Sequence, residues 1–215
     1  MLKKIIYSTV LILVIAGLIL WSIPLSFFVP KEIKPTSQMI EGKKILLVIA
    51  FNDFQDKEYF VPKEVFEKVG FLVETVSTQK GLAKGIEGGE VIIDIKVDEV
   101  QTGDYEAVVF CGGPGMAKEL DNEGFLKLSQ NFYEKDKVVA AICVAPALLA
   151  KAGILENKKA TVWSSSLNKD YIKILEENGG IYSDESIVIS ENIITANSPE
   201  VAYEFGQSIV DLFKK

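Results

Sequence analysis

Apolar runs of strand length alternate with segments of helical period along most of this chain. KKILLVIAF (43–51) is continuous, rich in branched residues and bordered by polar ones, the pattern of a strand buried on both faces. Val61, Val65, Phe66 and Val69 recur at helical spacing and Gly70 ends that helix, after which FLVETVST (71–78) reads as a second strand. Glycines at 81, 85, 88 and 89 and the alternating VIIDIKV (91–97) predict a hairpin or excursion before the next core strand, YEAVVFCGG (105–113). Phe125, Leu128, Phe132 and Tyr133 mark a helix, and VVAAIC (138–143) another strand. APALLAKAG is a short helix stopped at Gly153. ATVWSS, a helix in NKDYIKILEENGG and the run IVISENIITA are expected to complete the sheet. Ser198 is then the expected N-cap of a last helix, with Pro199 at its first position and Val201, Phe205, Ile209 and Leu212 on its apolar face. Strands alternating with helices predict an α/β fold whose mostly parallel sheet is covered on both sides by right-handed crossovers. Ligands of such sheets bind beyond the carboxyl ends of the strands.

The first thirty residues stand apart. Lys3 and Lys4 precede an uncharged stretch from Ile5 to Pro30, densest between Val10 and Trp21, without an A-x-A cleavage signal. That length suits ~30 Å of hydrocarbon, so residues 1–30 are expected to be an uncleaved transmembrane helix or signal anchor. Trp21, Phe27 and Phe28 would sit at the interface. Residues 31–42 (KEIKPTSQMIEG) read as a linker and 43–215 as the domain, placed on the extracytoplasmic side by analogy with signal anchors.

Composition narrows the chemistry. The 215 residues, 48% of them hydrophobic, suffice for one packed domain. Beyond residue 30 the chain carries 21 Lys against 30 Asp and Glu, a net charge of −9, which disfavours nucleic acid as a partner. Every basic residue is Lys and there is no His. Ser-His-Asp and Cys-His pairs, imidazole metal ligands and Arg forks for anions are thereby excluded within one chain. Neither a metal nor another cofactor is expected. Cys111 and Cys143 each close a separate apolar strand run and are expected to be reduced.

Two strand ends carry unusual residues. In VVAAICVAP (138–146) a Cys closes the strand with Ala140, Ala141 and Ala145 around it, the small neighbours that a nucleophile elbow requires. A helix beginning at Val144 would aim N–H groups at the sulfur and favour the thiolate. An inert buried Cys fits the same residues, and the motif alone leaves both readings open. In VVFCGGPG (108–115) the glycines allow close backbone approach and N–H groups for an oxyanion, although an ordinary turn reads the same way. The phosphate-loop signatures G-x-x-x-x-G-K-[ST] and G-x-G-x-x-G are both missing. Asp53, Asp56 and Glu58 form an acidic cluster, of which a solvated loop explains the first two.

Four stretches, KEYFVPKEVFEKVGF (57–71), YEAVVFCGGPG (105–115), VVAAICVAPALLAKAGIL (138–155) and ENIITANSPEVAYEFGQSIVDLF (191–213), resemble the ThiJ/PfpI superfamily in order and spacing. The resemblance implies a three-layer α/β sandwich with a flavodoxin-like sheet, related to class I glutamine amidotransferases. It implies Cys143 as the nucleophile at the elbow and Glu58, four residues before Pro62, as a carboxyl sharing a proton with it. Gly113 and Val144 map to the backbone oxyanion donors, while Gly112, Pro114, Trp163 and Ser164 are expected around the pocket. Homo-oligomers are common in such a family. The chain also departs from it. Val144 stands where protease-like members have His, Trp163, Ser164 and Ser165 where glyoxalase-like and deglycase-like members often place a His, and Asn197 and Ser198 where many relatives have Arg and Gly. Three readings follow: a membrane-anchored reactive cysteine acting on small electrophiles, a cysteine peptidase acting on peptides, and a non-catalytic binding or chaperone-like domain.

Overall fold

A computed structural model describes Ile40 and residues 42–214. The expected buried strands form where the apolar runs predict them. β1 (Lys44–Val48) pairs in parallel with β3 (Leu72–Ser77) on one side and with β7 (Ala107–Phe110) on the other. β7 pairs with β8 (Val138–Ile142), and β8 with β12 (Ile193–Ala196), again in parallel. The order β3-β1-β7-β8-β12 is the flavodoxin order, second-first-third-fourth-fifth, and it places the topological switch point between β1 and β7. β6 (Ile95–Lys96) adds a parallel edge beside β3, and β11 (Ile187–Ser190) an antiparallel one beside β12. Side chains of β7 and β8 are buried throughout, as strands sandwiched between two helical layers must be.

Helix α1 (Asp56–Lys68) packs against α6 (Ala202–Leu212) on one face of the sheet. Gly206 lets the two approach: a Cβ there would lie 3.2 Å from the Pro62 backbone. On the other face α3 (Glu123–Tyr133) packs on β7 and β8 and against α4 (Pro146–Lys151), which in turn meets α5 (Asp170–Glu177). A short helix, α2 (Pro114–Lys118), follows β7.

The residues between β3 and β7 supply the predicted hairpin. β4 (Gly81–Gly85) and β5 (Glu90–Ile93) pair antiparallel, and β2 (Asn52–Phe54) joins them in a separate three-stranded sheet. Two expectations need correction. Of ATVWSS only Ala160 is in a strand: β9 (Lys159–Ala160) pairs with β10 (Ile181–Tyr182) outside the central sheet, because β11 already occupies the edge beside β12. Ser198 makes no cap bond to the last helix, whose entry is a 3-10 turn over Pro199–Val201.

The transmembrane helix expected at residues 1–30 lies outside the described residues. Among the described residues no helix is long and apolar enough to cross a membrane. The longest, α1, has 13 residues and so spans about 20 Å, short of the ~30 Å of a hydrocarbon core. The membrane anchorage and extracytoplasmic placement expected from the sequence are corrected accordingly.

Candidate active site

The carboxyl ends of β1, β7 and β8 converge beside the switch point. Cys143 follows β8 directly with φ 63°, a left-handed conformation that costs a non-glycine residue roughly 1–2 kcal/mol. Two backbone hydrogen bonds hold it there: its N–H donates to Ala196 O at 2.9 Å, and its carbonyl accepts from Trp163 N–H at 2.8 Å. Ala140, Ala141 and Ala145 are fully buried around the turn, as the elbow demands. The helix does not begin at Val144. It begins two residues later, at Pro146, and has only six residues, so helix-dipole stabilisation is slight. The donors to the Cys143 sulfur are single N–H groups, those of Val144 in the elbow and Gly113 at the end of β7, and both favour the thiolate.

Glu58 enters from the first turn of α1 and is fully buried. The Gly112 N–H donates to its Oε2 at 2.7 Å. Its Oε1 is buried without a partner of good geometry, and the Cys143 thiol lies within hydrogen-bonding reach of the carboxyl. Pro62 explains the spacing to Glu58. A proline inside a helix has no N–H for the carbonyl four residues back, so Glu58 O is released from the ladder. The Cys111 thiol takes that place, donating to Glu58 O at 3.3 Å from a fully buried position. Cys111 is therefore structural, and both cysteines are free thiols.

Burial pushes the Glu58 carboxyl up from 4.5 to about 7, against the hydrogen bonds from Gly112 and Cys143, and the charge of Glu200 adds to the rise. Burial also pushes the Cys143 thiol far up, and an ionised Glu58 pushes it further, while the Val144 and Gly113 N–H groups pull the other way. Two acids this close cannot both ionise near neutrality. A thiolate therefore forms at Cys143 only when Glu58 keeps the proton, and the unpartnered Oε1 is where that proton would sit.

The Gly-Gly-Pro-Gly turn presses against this pair. A Cβ at Gly112 would fall 2.8 Å from Glu58 Oε2 and 2.9 Å from the Cys143 Cβ. Gly113 has φ 105°, and a Cβ there would meet Gln55 N at 2.5 Å and Asp53 O at 2.7 Å. The strand end can thus touch both functional side chains only without side chains of its own.

In front of the sulfur opens a cavity of about 420 Å³. Cys143, Glu58, Gly113, Pro114, Val144 and Trp163 are among the residues that line it. Gly112 backs the pair from behind. Ser164 is not on the wall, and its hydroxyl accepts from Lys169 Nζ at 3.3 Å. Gln55, Ala117, Asn168, Tyr171 and Pro199 complete the lining, and sequence reasoning missed all five. Only Gln55 had a local signal, since its side chain caps α1 by accepting from Lys57 N–H at 3.2 Å. Tyr171 meets Trp163 edge-on at 5.8 Å between ring centres. Asp53 pairs with Lys118 at 3.1 Å. Asp56 is buried and not solvated, accepting from Glu87 N–H at 2.8 Å and Gly89 N–H at 2.6 Å, so it ties the β4–β5 turn to the start of α1. Among the described residues no group of three Cys, Asp or Glu side chains is placed to hold a metal.

A doubly wound sheet, a cysteine in a left-handed elbow after its fourth strand and a buried glutamate from its first helix define an α/β protein built around one thiol. The chain belongs to the DJ-1/PfpI family, which it matches over residues 43–212. It is 41% identical to an uncharacterized protein of Methanocaldococcus jannaschii, over 82% of this chain and 85% of that one. Deglycase PfpI of Pyrococcus furiosus is 28% identical over 79% of this chain and 99% of its own length, which leaves no room there for a segment like residues 1–30. The ThiJ/PfpI domain protein of Brachyspira murdochii superposes with a TM-score of 0.76 at 33% identity, covering 80% of this chain and 98% of that structure.

Proposed function

We propose that this protein uses the Cys143 thiolate to add to small electrophiles, reactive carbonyls foremost, with Glu58 moving the proton. The observation that carries this reading is the unpartnered Oε1 of a fully buried carboxyl beside a strained cysteine whose sulfur receives two backbone N–H groups. In the addition, the sulfur forms a bond to the carbonyl carbon and the C=O π pair moves to oxygen. The proton held by Glu58 then neutralises that oxygen, giving a hemithioacetal and an ionised Glu58. The same N–H groups of Gly113 and Val144 are the donors available to the developing oxyanion. Reversal returns the proton to Glu58, so the pair needs no imidazole for this step. Peptide hydrolysis is less well served, because the leaving amine would have to be protonated by the same single carboxyl. The name of the Pyrococcus furiosus relative, a deglycase, agrees with carbonyl chemistry.

Mass spectrometry of the intact chain after brief exposure to methylglyoxal or dilute peroxide tests the reading. Cys143 should be modified at least tenfold faster than the fully buried Cys111, and Glu58→Gln should slow it. Equal rates at the two cysteines would refute the assignment.

A further inference from the structure

The walls of the cavity restrict the charge of whatever reaches Cys143, an inference that rests on the reactive-thiol reading above. Glu58 is the charged side chain among the lining residues. The polar walls are the neutral amides of Gln55 and Asn168 and the hydroxyl of Tyr171, and the rest is aromatic or apolar. Outside the lining, Glu200 lies close enough for its charge to act on Glu58. The lysines nearest in the chain do not reverse this balance. Lys118 is paired with Asp53 at 3.1 Å, Lys57 acts on Glu200, and Lys169 donates to the Ser164 hydroxyl, which is not on the wall. Once the dyad has lost its first proton it carries one negative charge, whichever of its two members holds the remaining proton.

We infer that the substrate is a neutral or cationic electrophile, and that carboxylate-, phosphate- and sulfonate-bearing electrophiles are excluded by the charge of the site. A neutral α-dicarbonyl or an aldehyde carried on an amine fits, while an α-keto acid does not. Trp163 and Tyr171 supply aromatic rings of the kind that bind cations, whereas no guanidinium or ammonium in the lining meets an anion. A like charge about 6 Å from the dyad, at the effective dielectric of a partly open site, should slow reaction on the order of tenfold to a hundredfold.

The test labels Cys143 in the full chain at pH 8 with three methanethiosulfonates: the neutral methyl, the trimethylammonioethyl and the sulfonatoethyl reagents. Each rate is divided by that reagent's rate on free 2-mercaptoethanol, which removes intrinsic reactivity. The sulfonate should lag the other two by at least fivefold after this correction. Ala117→Lys, which adds a cation to the wall, should raise the ratio of the sulfonate rate to the methyl rate at least threefold. Corrected rates within fivefold of one another, or a faster sulfonate, would overturn the inference while leaving the reactive thiol intact. If none of the reagents labels Cys143 in the folded chain and all label it after denaturation, the reactive-thiol reading itself fails and takes the inference with it.

Discussion

Glu58→Gln removes one charge from a fully buried site and keeps its shape. Gln retains an oxygen for the Gly112 N–H and turns its amide toward the Cys143 sulfur. In the native chain burial raises the carboxyl from 4.5 to about 7, with Glu200 adding to the rise and the Gly112 and Cys143 hydrogen bonds opposing it. A raised folded value means that ionisation is harder in the folded than in the unfolded chain. The stability this group contributes is therefore complete below pH 4.5 and is lost as pH rises to about 7. An ionisation displaced this far corresponds to about 3 kcal/mol. The variant has no such loss, and groups other than Cys143, which Glu58 raises, titrate alike in both proteins. Urea unfolding under reducing conditions, at half-unit steps from pH 4 to 8, should show the variant gaining about 3 kcal/mol on the parent between pH 4.5 and 7. The difference should then stay level to pH 8. A difference independent of pH, or one that falls as pH rises, would refute the picture of a buried carboxyl holding its proton near neutrality.

Cys111→Ala should cost roughly 1–3 kcal/mol in urea unfolding, because it opens a small void and leaves the Glu58 carbonyl, freed by Pro62, without a donor. The same variant should slow alkylation of Cys143, whose partner it loosens. Cys143→Gly should be about 1 kcal/mol more stable than Cys143→Ala by thermal unfolding, since glycine relieves the left-handed strain that alanine keeps. Asp56→Ala should release the two N–H groups of the β4–β5 turn, lowering stability by about 2 kcal/mol and speeding hydrogen exchange at Glu87 and Gly89 above the rest of the hairpin.

Much of the fold is legible in the sequence because both faces of its sheet are covered. The runs at 45–48, 107–110 and 138–142 are apolar at every position, as a doubly covered parallel strand requires. ATVWSS misleads for a related reason: its β-branched and aromatic residues suit a strand, but Val162 and Trp163 serve the core and the pocket wall in a segment that pairs through only two residues. Asp56 looks solvated because the N–H groups that bury it lie 31 and 33 residues downstream. The elbow is visible in its small neighbours, whereas the pairing of Glu58 with Cys143 is visible only through resemblance. Its physical basis, a carbonyl freed by Pro62 and taken up by Cys111, joins residues on two different elements. Gln55, the pair Asn168 and Tyr171, and Pro199 come from three separate stretches of chain, and apart from the cap that Gln55 makes on α1 nothing local marks them.

The central claim is that Cys143 and Glu58 share one proton in a site that leaves the sulfur reactive. The most direct measurement is the rate of Cys143 alkylation by neutral iodoacetamide from pH 5 to 10, in the parent and in Glu58→Gln, read by mass spectrometry. The account predicts a rise with a midpoint near pH 7 and a plateau above it in the parent, and no step near 7 in the variant. A single rise near the pH of an ordinary thiol, the same in both proteins, would contradict it.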